Sequence, residues 1–169
     1  MLAPSPPGVY RKGHLGVALL VFAPIAFVLL AADRAALAAV TGGALLWFAM
    51  LPDVDHRIPG VPHRGPTHSL LFAALVGGAF AALGAVVGSA GSVGGVGGVS
   101  LPVLGFAIGA LTVVAHLLGD ALTPAGVNFL WPVSTRTYTV GLCRADNTTA
   151  TSGLFAVVVS ARQSPNVYV

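Results

Sequence analysis

The 169-residue sequence contains no glutamate, a single lysine (Lys12) and a single cysteine (Cys143). Charged residues make up 8% of it, whereas a soluble domain carries about 25%. So few charges cannot build a water-facing surface, which excludes an ordinary soluble globular domain and leaves lipid as the main solvent. The lone cysteine excludes an intrachain disulfide. The eight basic residues are dispersed, with no dense Lys/Arg run or interleaved aromatics to follow a phosphate backbone, so a nucleic-acid partner is not expected.

What the chain does have is apolar length. It is 56% hydrophobic, with a mean hydropathy of +0.89, and its size suits one integral membrane domain over residues 1–169. Four stretches are long enough, or nearly so, to cross about 30 Å of hydrocarbon as helices. They are Leu15–Ala32, Ala35–Leu51, Ser69–Val87 and Leu101–Leu118. Gly153–Ala161 is too short to span and reads as a short extra C-terminal helix. The expected fold is therefore all-α, a polytopic four-helix up-down bundle. Gly105 and Gly109 fit the small-xxx-small pattern that lets helix backbones approach closely, although an Ala/Gly-rich composition alone would also produce it.

The connections differ in character. Asp33-Arg34 makes a minimal hairpin, and Gly88–Ser100 is a Gly/Ser/Val stretch that reads as a flexible linker. Asp53–Thr67, with Pro52 before it, carries four prolines, two aspartates, two histidines and two arginines, and crowded polar loops of this kind tend to carry function. With the N-terminus in the cytoplasm, Arg11, Lys12, Arg57, Arg64, Arg136, Arg144 and Arg162 lie inside and only Arg34 lies outside, a strong positive-inside bias. That places both termini and the tail 133–169 in the cytoplasm, for a protein of the inner or plasma membrane. A cleaved signal peptide is the lesser alternative for the first span, whose apolar run is long for one. On a cytoplasmic tail, the glycosylation acceptor pattern at Asn147 would go unused.

This topology brings scattered ionisable residues to one face. His14 precedes the first span, Asp53, Asp55 and His56 follow the second, His63, Arg64 and His68 lead into the third, and His116 and Asp120 end the fourth. All five histidines of the chain are in that set. His116 and Asp120 are four residues apart, so they project from one helix face and can clasp one ion. His116 also lies within an apolar run, where a polar side chain is costly. The bland alternative is a His–Asp pair that pins two helices. Asp53 and Asp55 alternate just past Pro52, where both can face an ion from an irregular turn. Oxygen and imidazole donors together suit zinc, or manganese or iron, better than a soft metal, which prefers thiolate. His56 and His63 read as loop residues or as partners of ligands. Arg64-Gly65-Pro66-Thr67-His68-Ser69 reads as a helix start with Pro66 in its first turn, where Arg64 can hold an anionic oxygen. His14 is recommended by position alone. Thr123-Pro124-Ala125-Gly126 and Trp131-Pro132 read as a turn and an aromatic interface anchor.

As an ordered set, His14, Leu51-Pro52-Asp53-Val54-Asp55, Arg64-Gly65-Pro66-Thr67-His68-Ser69 and the run from His116 to Gly126 with Trp131-Pro132 resemble the YdjM-like family. That family is described as LexA-regulated inner-membrane proteins and metal-dependent hydrolases. The resemblance covers roughly residues 14 to 132 and implies that His14, Asp53, Asp55, Arg64, His68, His116 and Asp120 form the site. The His-x-x-x-Asp element is also similar to one in zinc-dependent phospholipase C.

The expectation that follows is a hydrolase in which His14, Asp53, Asp55, His68, His116 and Asp120 hold one or two divalent ions. A metal lowers the pKa of its water from 15.7 to about 7. Asp55 would accept the proton, and Arg64 would stabilise the developing negative charge. A site at headgroup depth points to a phosphoester of a lipid or lipid-linked substrate. The alternative from another class is a non-enzymatic metal-binding membrane protein: a sensor, a regulator or a transporter.

Overall fold

The computed structural model describes residues 8–91 and 94–142. The Gly153–Ala161 segment, Cys143 and the end of the tail lie outside the described residues. The fold is mostly helical: α1 (Gly8–Ala31), α2 (Ala35–Trp47), α3 (Leu70–Ala90) and α4 (Leu101–Ala121), with a two-residue-per-strand hairpin, β1 (Gly95–Val96) and β2 (Val99–Ser100). Among the described residues, four segments are long and apolar enough to cross a membrane: Arg11–Ala31, Ala35–Arg57, Leu70–Ala90 and Leu101–Ala121.

Among the boundaries that move, three bear on the site. α1 starts well before Leu15, so His14 sits inside the helix instead of ahead of it. The second segment is regular only to Trp47, not to Leu51. Pro52 explains this, because a proline ring clashes with the carbonyl four residues earlier and disfavours helical geometry in the residue before it. The chain continues as turns into a 3₁₀ turn, Pro52–Arg57. Finally, α3 begins at Leu70, after a separate 3₁₀ turn, Pro66–His68, so His68 lies just outside the helix. Ser69 caps α3, its hydroxyl accepting the Phe72 amide N–H at 3.1 Å and donating to the Pro66 carbonyl at 2.7 Å.

α4 is the central helix. It contributes Val113 and Leu117 to a core shared with Ala73 and Val76 of α3, and Ala115 to one shared with Ala18 of α1 and Leu45 of α2. A third cluster, Leu37, Leu104 and Ile108, lies toward the opposite end. The outer faces carry exposed apolar side chains such as Phe27, Leu75, Val86 and Phe106, as a lipid-facing surface requires. Close approach of α3 and α4 depends on glycine. A β-carbon on Gly105 would overlap the Phe80 carbonyl, and one on Gly109 would lie 2.9 Å from the Val76 carbonyl oxygen. The small-xxx-small pattern is therefore a packing seam and not just composition.

At the end away from the histidines, the stretch expected to be a flexible linker contains the β1–β2 hairpin. Gly97 and Gly98, both at positive φ, make its turn, as two-residue hairpin loops prefer. Arg34 donates to the Gly97 carbonyl at 2.6 Å and ties the α1–α2 connection to this hairpin.

Gly105→Val should force α3 and α4 apart. Overpacking of this kind costs about 1–3 kcal/mol, so thermal unfolding in detergent should shift down by several degrees, whereas Gly43→Ala, which meets open space, should leave it unchanged.

Candidate metal centre

The end of the bundle opposite the hairpin gathers the candidate site residues His14, Asp53, Asp55, Arg64, His68, His116 and Asp120. Its construction starts with the break in α2. A continuing helix would spend the Ala49 carbonyl on the amide of residue 53. The break frees that carbonyl, and His116 Nδ1 lies 2.8 Å from it. A carbonyl can only accept, so Nδ1 carries the proton and Nε2 presents a lone pair. His116 Nε2 faces Asp53 Oδ1 at 3.2 Å and Asp120 Oδ2 at 3.6 Å.

His68 arrives from the other side. Its Nε2 lies 3.4 Å from both Asp53 Oδ1 and Asp120 Oδ2. Its Nδ1 faces the opposite way, 3.2 Å from Asp55 Oδ2 and 2.9 Å from Thr67 Oγ1. Thr67 also donates to Asp55 Oδ2 at 2.9 Å. Asp55 and Thr67 thus hold the His68 ring from behind, the carboxylate–histidine arrangement that orients metal-binding imidazoles. Asp55 does not join His68, His116 and Asp120 at the inner centre; it shares a separate group with Asp53, His56 and His63. Asp55 is 2% exposed, with Oδ1 facing His63 Nδ1 and Oδ2 accepting from Thr67.

The anionic oxygen that Arg64 holds belongs to a carboxylate of the chain itself. Its guanidinium pairs with Asp120 Oδ1 at 2.8 Å and donates to Thr123 Oγ1 and the Gly126 carbonyl. It fixes Asp120 so that Oδ2 alone turns inward. The Arg64 backbone sits in the left-handed region at φ 61, uncommon for a residue with a side chain and typical of positions held by functional geometry. His14 completes the group from α1. Its ring stacks on His116 with centroids 3.9 Å apart, and its Nε2 is 3.9 Å from Asp120 Oδ1.

The histidines form one continuous chain of rings, His56–His63–His68–His116–His14, with neighbouring centroids 3.9, 4.9, 5.2 and 3.9 Å apart. His63, beyond the spans, has its pKa lowered by burial even though the adjacent Asp55 favours the proton. Neutral imidazole is the metal-binding form.

Whether these residues fit an ion can be tested on the unpaired atoms. Among the described residues, His68 Nε2, His116 Nε2 and Asp120 Oδ2 are buried without a hydrogen-bond partner, yet they point at one another. Leaving a buried polar atom unsatisfied costs about 1–3 kcal/mol, so an ion bound among these three would relieve that cost. A tetrahedral ion with arms of 2.0–2.1 Å separates its ligands by about 3.3–3.4 Å, and the spacings here run from 3.2 to 3.6 Å. The His/Asp cluster has the chemistry and the spacing to hold a metal ion.

A cleft of about 1060 Å³ opens over the cluster. Its walls include His14, Asp53 and Asp120, the basic Arg11 and Arg57, and the apolar Leu46, Trp47 and Met50. Several supporting groups escaped the sequence reading. Thr67 was visible only as a neighbour of His68, and the Ala49 and Gly126 carbonyls carry no sequence signal at all. Gly119 is a fourth, because a β-carbon there would come within 2.6 Å of His14 Nδ1.

Thr67→Val removes the hydroxyl that holds Asp55 and His68 while keeping the side-chain shape. Losses of partners behind a ligand typically weaken metal affinity about 10- to 100-fold, and chelator competition on the purified variant should show a fall of that size.

Neither a curated protein nor a solved structure matches the chain. The model of one sequence family, described as YdjM inner membrane protein, matches residues 10–169. That match takes in α1 through α4 and every side chain of the cluster. With four span-length helices among its described residues and its histidines collected at one end, the chain belongs to the YdjM inner membrane protein family.

Proposed function

We propose that this protein is a membrane-embedded, metal-dependent hydrolase acting on a phosphoester of a lipid or lipid-linked substrate at the cytoplasmic face. The observation that carries this reading is the trio of unpartnered buried atoms, His68 Nε2, His116 Nε2 and Asp120 Oδ2, beside a cleft with an open side. Structural zinc sites are closed, whereas catalytic ones keep a position free.

Asp53, His68, His116 and Asp120 would hold the ion, with His14 beside them. Zinc fits this donor set best, and manganese or iron is compatible with it. A bound divalent cation supplies Lewis acidity and an acidified water at neutral pH. The remaining work falls to the chain itself. The Ala49 carbonyl and the Asp55–Thr67 pair keep the two imidazole lone pairs aimed inward, and Arg64 keeps Asp120 from rotating. This preorganisation removes the need to reorient ligands during the reaction. Arg11 and Arg57 on the cleft wall can receive the anionic oxygens of a phosphoester, while Leu46, Trp47 and Met50 offer an apolar path from the bilayer. Trp47 is 83% exposed, as a residue lining a lateral opening would be. The cytoplasmic placement follows from the positive-inside distribution, which sets Arg11, Lys12, Arg57 and Arg64 on the side of the site.

A non-enzymatic metal sensor shares the donor set but has no use for the cleft. The two readings part on one experiment. Wild type purified in detergent should retain a divalent metal and hydrolyse phosphomonoester or phosphodiester model substrates, and Asp120→Asn should lose both. Metal retained with no turnover on any substrate would favour the sensor, and wild type without metal would sink both readings.

Arg11→Gln and Arg57→Gln address recognition separately. A charge-assisted hydrogen bond contributes about 1.5–3 kcal/mol, so each should raise KM for an anionic lipid substrate roughly 10- to 100-fold while kcat stays near wild type.

A further inference from the structure

We infer that the site takes a second divalent cation, bound on the cleft side of Asp53 by Asp53, Asp55, His56 and His63. The inference rests on the metal-dependent reading of the inner centre and deepens it from one ion to two.

Each of these four residues offers one donor atom, and all four atoms lie within 4.8 Å of one another. His63 Nδ1 is 3.1 Å from Asp55 Oδ1 and 3.3 Å from Oδ2, again the edge length of about 3.3 Å expected between ligands of one small ion. A simple His63–Asp55 hydrogen bond accounts for that contact but not for the other two members. His56 contributes nothing to it, yet its ring lies 3.9 Å from that of His63. Asp53 belongs both to this group and to the inner trio with His14 and His116.

The division of labour within Asp55 is consistent with an outer ion. Oδ2 is taken from behind by Thr67 and faces His68 Nδ1, which leaves Oδ1 for the outer side. Asp53 likewise presents Oδ1 to His68 and His116, so only its second oxygen is needed for a bridge. Two imidazoles and two carboxylates are a donor set for zinc, manganese or iron. A bridging carboxylate is compatible with a pair of ions about 3.5–4 Å apart, the spacing at which two metals clamp the attacking and leaving oxygens of a phosphoester. His56, His63 and Arg57 all line the cleft, so the outer ion would face the space assigned to the substrate. That placement gives His56 and His63 a role that the loop reading of the sequence did not.

The test uses the full chain in detergent, stripped with chelator and reloaded with Mn²⁺. Metal content is read by elemental analysis and ion proximity by electron paramagnetic resonance. Wild type should bind two equivalents and give a spin-coupled spectrum. The double variant His56→Ala/His63→Ala alters side chains at the rim, and its folding can be verified by thermal unfolding. It should bind one equivalent and give an uncoupled spectrum. One equivalent in wild type, lost in Asp120→Asn, would overturn the second site and leave the proposed function standing. Two equivalents in the double variant would also overturn it by locating the second ion elsewhere. No metal in wild type would remove both proposals together.

Discussion

Pro52 has no amide proton, and its ring collides with the carbonyl four residues before it. α2 therefore ends at Trp47, and two consequences follow from that one break. The Ala49 carbonyl is released from helix bonding and becomes the acceptor for His116 Nδ1. The chain beyond turns through Pro52–Arg57 and delivers Asp53 to the far side of the same imidazole. His116 is thus held at one nitrogen by a backbone group and faces a carboxylate at the other, both supplied by the same interruption. An uninterrupted second helix would carry Asp53 and Asp55 onward along its own axis, and α4 would be left with a buried histidine lacking a partner.

How much of this was legible depends on what kind of group did the work. Side chains were legible because the composition is so sparse. In a chain without glutamate, His14, Asp53, His68, His116 and Asp120 stood out individually, and the alternation of apolar spans was enough to bring them to one end. Their supports were less visible. Ala49 and Gly126 act through carbonyls, which every residue possesses, so no residue type announces the role. Asp55 and Arg64 were visible as ionisable residues, but their direction was not. A one-residue change in where the 3₁₀ turns begin decides whether a side chain faces the ion or braces a ligand from behind. The β1–β2 hairpin was missed for a related reason: Gly97-Gly98 is a turn signal only when the flanking strands pair, and here each strand is two residues long.

The bilayer explains why the supports are so local. Within hydrocarbon each backbone polar group must be satisfied by the protein, and a broken helix is tolerated only where something else meets the freed groups. At this end of the bundle the freed groups and the buried side chains satisfy one another: Ala49 with His116, Gly126 with Arg64, and Arg64 with Asp120. What this arrangement leaves over is small and specific. The unpaired atoms at the cluster are imidazole nitrogens of His14, His68 and His116 and a carboxylate oxygen of Asp120, a set that suits a cation.

The position of that demand bears on the choice among metal-binding functions. Transporters place their ligands near the middle of the membrane, between interrupted helices, so that access can alternate. Here the donors sit at one end of α1, α2 and α4, and at the opposite end Arg34 donates to the Gly97 carbonyl and Leu37 lies against the hairpin. Between the two ends the interior is packed by Leu45, Val113 and Ala115, each essentially inaccessible. Within the proposed function, a donor set at one end of a packed bundle suits an ion that stays and acts on something brought to it. On the proposed function, the basic and apolar walls of the cleft suit a partner with an anionic group carried on a hydrophobic body.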